Sequence, residues 1–221
     1  MRNKPYKSMM VILIIIISLC FSSASAQQKQ SESADAKFYY DRGVTYSYKG
    51  QLDQAISDFT KPLEIDPRHA EAYYNRGVIY EKKGQLDQAM SDYTKAFEIN
   101  PSLAVAYINR GNTYDEKGQH DQAISDFNKA LEINPRYAVA YNNRGMANMA
   151  KGQYDEAIAD FNKALQINPM LALAYGNRGR AYYFKKEYDK SWDDINKVQA
   201  LGYQIPPEFL DDLRKASGRQ N

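Results

Sequence analysis

The feature that most constrains this chain is a period. Glycine recurs at Gly43, Gly77, Gly111, Gly145 and Gly179, and proline at Pro67, Pro101, Pro135 and Pro169, each 34 residues after the last. A step of that length repeated in phase argues against a single core assembled from distant segments. Each unit is one supersecondary element that cannot bury its apolar face alone, so the units must stack into a solenoid. Registered on the glycines, the units are 36–69, 70–103, 104–137, 138–171 and 172–205.

Within a unit the spacing predicts two helices. Tyr39, Gly43 and Tyr46, four then three residues apart, share one helical face. A glycine in mid-helix costs about 1 kcal/mol relative to alanine, so its recurrence implies close approach by another helix. The pairs Lys49-Gly50, Lys83-Gly84, Lys117-Gly118 and Lys151-Gly152 end the first helix, with the glycine at positive φ. Asp53, Asp87, Asp121, Asp155 and Asp189 are expected to N-cap the second. That second helix carries one apolar stripe, for example Ala123, Ile124, Phe127, Ala130 and Leu131. Asp66-Pro67, Asn100-Pro101, Asn134-Pro135 and Asn168-Pro169 are expected to close each unit and cap the next, proline taking the first helical position. Pro62 stands where other units have Ala96, Ala130 and Ala164, which predicts a kink or an early end. Arg42, Arg76, Arg110, Arg144 and Arg178 each precede an aspartate (Asp58, Asp92, Asp126, Asp160, Asp194) by sixteen residues, which predicts an ion pair across every hairpin.

The ends differ from the middle. Unit five has Lys186 for the turn glycine, Ser191 and Trp192 for Ala-Ile, and Leu201-Gly202-Tyr203 for the proline turn, as suits a unit with one free side. Residues 206–217, with Phe209, Leu210 and Leu213 on one face, read as a capping helix, and 218–221 as a tail. At the start, Arg2, Lys4 and Lys7 precede an apolar run over 9–21 and small residues ending Ala24-Ser25-Ala26, the layout of a secretory signal peptide over 1–26. The run is shorter than the ~18 to 20 residues that span a bilayer. Leu19 before Cys20 does not suit a lipid-acceptor site. Residues 27–35 are small and polar and read as a disordered tether. Cleavage after Ala26 removes three cations and no anion, taking the formal charge from +2 to −1 and leaving no cysteine. A near-neutral mature chain offers no electrostatic case for nucleic acid or an anionic membrane; no membrane insertion is expected after signal cleavage, and no disulfide framework.

These units resemble the tetratricopeptide repeat family. Unit three carries its pattern as Tyr107, Gly111, Tyr114, Ala123, Phe127, Ala130 and Pro135; unit two as Tyr73, Gly77, Tyr80, Ala89, Tyr93, Ala96 and Pro101. Asn148 departs from it in unit four. The resemblance implies an all-α, right-handed α-solenoid of stacked helix-turn-helix repeats. Its first helices would line a concave groove that binds peptide segments of partner proteins, without chemistry of its own.

On that face the sixth residue of each unit is Asp41, Asn75, Asn109, Asn143 or Asn177. An amide offers donor and acceptor together and can pair with any peptide bond. The row is similar to the asparagine ladder of O-linked N-acetylglucosamine transferases. The positions that grip a chaperone C-terminal carboxylate in other family members hold no cation here, so that reading fails. Units one to three place charge on the groove (Lys37, Asp41, Glu71, Glu81, Lys82, Asp115, Glu116). Units four and five place Val139, Met146, Met149, Ala150, Leu173, Tyr183 and Phe184 there, an adaptable apolar site. His69 and His120 lie far apart in a linker and a turn; no metal cluster, cofactor motif, phosphate loop or nucleophile elbow is present, and the chain is not read as an enzyme. The expected function is an exported, periplasmic or extracellular scaffold for protein or peptide partners. Its alternatives are a self-associating structural solenoid, and thus a homo-oligomer, or a noncatalytic subunit of an envelope complex.

Overall fold

The computed structural model describes residues 4–219, with side chains from Ser25 onward. Among the described residues there are eleven helices and no strand: α1 (Lys4–Tyr48), α2 (Leu52–Ile65), α3 (Ala70–Lys82), α4 (Leu86–Ile99), α5 (Ala104–Glu116), α6 (His120–Ile133), α7 (Ala138–Ala150), α8 (Tyr154–Ile167), α9 (Ala172–Phe184), α10 (Tyr188–Ala200) and α11 (Pro207–Ser217). Each first helix packs on the second helix of its own unit, and each second helix on the first helix of the next, forming an α-solenoid of stacked hairpins. The core is a file of small clusters centred on buried aromatics of the second helices, Phe59, Tyr93, Phe127 and Phe161.

Those aromatics explain the mid-helix glycines. A Cβ on Gly111 would lie 2.7 Å from Phe127 Cε1, and one on Gly77 2.8 Å from Tyr93 Cε1, separations that real Cβ atoms do not tolerate. In unit five Ile195 replaces the aromatic, and a Cβ on Gly179 would find its nearest neighbours at 3.3 Å. The hairpin turns follow the expected lysine-glycine chemistry. Gly84 takes φ +72°, its N–H donating to Glu81 O (2.8 Å) and that of Gln85 to Tyr80 O (2.9 Å). Lys186 adopts the same left-handed conformation, φ 61°, without being glycine.

Four local expectations are corrected. First, the recurring aspartates do not cap: Gln51, Gln85, Gln119, Gln153 and Glu187 hold the N-cap positions without side-chain cap bonds. Asp87 and Asp121, two positions after the N-cap, instead pair with Lys117 (2.6 Å) and Lys151 (2.5 Å) of the following unit, as Asp53 does with Lys83. The lysine that ends one first helix lies beside the first turn of the preceding second helix, where a carboxylate also complements the helix dipole. Second, Asp66, Asn100, Asn134 and Asn168 form Asx turns, their Oδ1 accepting from the backbone N–H two residues on (Arg68, 2.9 Å; Ser102, 3.2 Å; Arg136, 3.0 Å; Met170, 3.1 Å). The prolines sit in these turns, and the next helix starts after His69, Leu103, Tyr137 or Leu171.

Third, Pro62 does not shorten its helix: α2 has 14 residues, as α4 has. It falls in the last turn, where one intrahelical bond is lost while Asp66 N–H still reaches Pro62 O (2.7 Å). Fourth, residues 27–35 continue α1 rather than forming a disordered tether. They contain no glycine or proline, Gln, Lys, Glu and Ala favour helix, and Gln28 Nε2 donates to Glu32 Oε1 one turn on (2.9 Å). The side chains of most of the expected signal segment lie outside the described residues.

The concave face as candidate binding site

Consecutive first helices pack against one another along the stack, whereas consecutive second helices make no comparable contact. The row with the closer spacing must lie inside the curve, so α1, α3, α5, α7 and α9 line the concave face.

Each first helix is locked by its arginine. Arg42, Arg76, Arg110, Arg144 and Arg178 all grip the aspartate sixteen residues on with two N–H bonds, for instance Arg110 Nε and Nη2 to Asp126 at 2.7 and 2.8 Å. The pair predicted from spacing is thus present in every hairpin. A further bond was not foreseen: the remaining Nη1 of Arg76 reaches Thr60 (3.1 Å), that of Arg110 Thr94 (2.9 Å) and that of Arg144 Asn128 (2.5 Å), in each case a residue of the preceding unit. Arg178 reaches Asn162 likewise. The signal was legible, because Thr60, Thr94, Asn128 and Asn162 recur sixteen residues before the next arginine. Tyrosines flank the guanidinium, Tyr73 at 5.5 Å and Tyr80 at 5.9 Å from Arg76. The Asp92 carboxylate holds the Arg76 guanidinium above its ordinary pKa against the cost of burial. In unit four Asn148 replaces the second tyrosine and donates from Nδ2 to Asp160 Oδ2 (3.2 Å). Burial and the Glu81 carboxylate, which accepts its hydroxyl, push Tyr93 far above the usual phenol range.

The asparagine row is engaged sideways. Asn75 Nδ2 donates to Tyr40 Oη (2.7 Å), Asn109 Nδ2 to Tyr74 Oη (3.4 Å), Asn143 Nδ2 to Asn112 Oδ1 (2.8 Å) and Asn177 Nδ2 to Asn142 Oδ1 (3.0 Å), every acceptor lying one unit back. The switch of acceptor follows the sequence, since Ile108 in unit three has no hydroxyl to offer. An amide has two N–H bonds and an acceptor oxygen, so one such bond leaves each residue further hydrogen-bonding capacity. Asn143 retains least, because its Oδ1 also accepts from Asn142 (3.1 Å).

The apolar candidates divide. Met146 and Met149 are half-buried against Ala157, Ile158 and Phe161. Tyr183 belongs to the C-terminal cap, packing with Trp192, Ile195 and Leu213 and meeting Phe209 edge-on at 5.5 Å. Val139 (47% exposed), Leu173 (69%) and Phe184 (53%) remain open, the last with its ring stacked on Tyr154 at 5.3 Å. Both histidines serve structure: His69 Nδ1 accepts from Ala72 N–H at the start of α3 (3.3 Å), and His120 Nδ1 lies 2.6 Å from Asp115. Among the described residues no group of side chains is arranged to hold a metal, and no helix is long and apolar enough to cross a membrane.

No curated protein sequence matches the chain. Among solved structures it is similar to MamA, with 28% identity, covering 72% of this chain and 94% of that one, at a TM-score of 0.68. It is also similar to YrrB, a TPR protein with an unusual peptide-binding site, with 25% identity, 80% and 91% coverage and a TM-score of 0.65. PilF of Pseudomonas aeruginosa shares the fold, at 21% identity, 85% and 86% coverage and a TM-score of 0.74. The tetratricopeptide repeat model matches residues 70–103, 104–137 and 138–171, the boundaries set by the glycine register, and a TPR repeat model matches 43–84. With five arginine-locked hairpins in series and these matches from residue 43 to 171, the chain belongs to the tetratricopeptide repeat family.

Proposed function

We propose that this chain is an exported scaffold that holds peptide segments of partner proteins along its concave face. The observation that carries the reading is the exposure of three apolar side chains on the inner helices of units four and five, Val139 and Leu173 at the starts of α7 and α9 and Phe184 at the end of α9. Exposed apolar groups on a concave face mark a binding surface more often than a solvated one. The peptide-binding site named for YrrB supports the same use of the fold. Asn75, Asn109, Asn143 and Asn177 supply the residual amide capacity for the peptide backbone, and Met146 and Met149 give the apolar floor some plasticity. Tyr183 contributes through the cap rather than by contact. Residues 1–26 act as the export signal, placing the repeats of 36–205 in the periplasm or outside the cell. The reading of end-to-end self-association has less support, because the exposed residues of α11 include Glu208, Asp211, Asp212 and Lys215.

Crosslinking and pull-down of the exported protein tests the scaffold. Leu173→Asp with Phe184→Asp is expected to lower partner recovery at least about tenfold, whereas Asn109→Ala is expected to weaken all partners alike and less, each net hydrogen bond contributing ~0.5 to 1.5 kcal/mol. Unchanged recovery with all three substitutions overturns the groove. Mass spectrometry of the exported product is expected to find Gln27 at the N-terminus; an intact Met1 overturns the export signal.

A further inference from the structure

A pocket of about 180 Å³ opens where the concave face meets the C-terminal cap. Leu173, Gly176 and Arg180 of α9 form one wall, Val198 of α10 the floor, and Ile205 and Phe209, on the way into and within α11, the other wall. Its origin lies in the sequence. The fifth residue of each unit is Tyr40, Tyr74, Ile108, Asn142 and then Gly176. In units one, two and four that side chain reaches across to the asparagine of the next first helix. Unit five has no next unit and no side chain at this position, so the seam stays open.

Packing does not require this glycine. A Cβ on Gly176 would meet one neighbouring atom within 4 Å, Val198 Cγ2 at 3.9 Å, and its φ is not left-handed, in contrast to Gly77 or Gly111 against their rings. Arg180 is the second unusual group. Its position holds Val44, Val78, Asn112 and Met146 in the other units. The arginines of the hairpin locks are all committed to aspartates, whereas Arg180 is exposed and makes no hydrogen bond or ion pair among the described residues. Its guanidinium lies 5.7 Å from the Phe209 ring, at the pocket wall. An arginine stacked on an aromatic keeps its N–H fork available, and that fork matches a carboxylate.

We propose that this pocket anchors the bound peptide by taking one apolar side chain, with an acidic side chain of the same segment paired to Arg180. The volume is below the ~300 to 1,000 Å³ of pockets that hold whole small molecules and suits a single side chain. The unpaired cation at its rim selects against a basic neighbour as well as for an acidic one. This inference rests on the reading of the concave face as a peptide groove.

The probes are fluorescein-labelled peptides selected from a displayed random library against the full chain, and the same peptides with their acidic residue changed to Gln or Lys. Selection is expected to enrich an apolar residue beside Asp or Glu. The Gln peptides are expected to bind about tenfold more weakly, and Arg180→Glu is expected to reverse the preference toward the Lys peptides. Gly176→Leu, which fills the pocket, is expected to weaken every selected peptide about tenfold or more, with Gly176→Ala intermediate and the thermal midpoint of neither variant lowered. Peptides that are selected but bind both Arg180→Glu and Gly176→Leu unchanged overturn the anchor and leave the groove standing. A library that yields no binder overturns the groove reading, and the anchor with it.

Discussion

The two ends of the stack solve the same problem differently. At the C-terminal end a further element covers the last hairpin: α11 buries Leu213 completely, sets Phe209 against Tyr183, and receives the Trp192 indole N–H on Ser217 Oγ (3.1 Å). At the N-terminal end one side chain substitutes for a missing unit. Phe38 stands where the later units have fully buried alanines, Ala72, Ala106, Ala140 and Ala174. Its ring lies 5.1 Å from the Arg42 guanidinium, much as Phe97 of unit two lies 4.5 Å from Arg110 of unit three. Arg42 still holds Asp58 but lacks the bond to a preceding unit, and its side chain is 41% exposed against 17% for Arg76. An apolar surface left open must be covered by chain, because water does not stabilise it. A polar one can stay open, because water replaces the missing partner.

Five substitutions test that contrast, from the largest expected effect downward. Leu213→Ala should destabilise by about 2 to 5 kcal/mol, with amide-exchange protection lost first in α10 and α11 while α3 to α6 keep theirs. A uniform loss would mean the solenoid unfolds as one block and the cap is not a local device. Asp126→Ala should cost about 2 to 3 kcal/mol in urea unfolding, short of a wholly buried pair because the Arg110 side chain is 19% exposed. Asp58→Ala should cost clearly less, since Arg42 can turn to water, and equal effects would erase the difference between end and interior. Lys186→Gly should stabilise by about 1 kcal/mol, because a lysine at φ 61° bears a strain that glycine does not. Phe38→Ala should shift the thermal midpoint least of the five, its ring being 57% exposed. A larger shift than that of Leu213→Ala would show that the N-terminal end depends on this aromatic as much as the other end depends on a helix.

The sequence by itself determined the period, the two helices per unit, the positive-φ turns, the close approach of another helix at the mid-helix glycine, and the arginine-aspartate pair. Each is a relation within one hairpin, set by spacing along the chain, and repetition makes it unmistakable. The tertiary structure decided what passes between units. Asp87 turned from a cap into a partner for Lys117; the asparagine row turned sideways to Tyr40, Tyr74, Asn112 and Asn142; Tyr183 went to the cap; and the pocket beside Gly176 appeared only because α11 closes a seam that no sixth repeat fills. Residues 34 apart in sequence say nothing of the distance between their side chains until the stacking sets it. Polar groups near such a seam take whichever partner the neighbouring unit brings within hydrogen-bond reach.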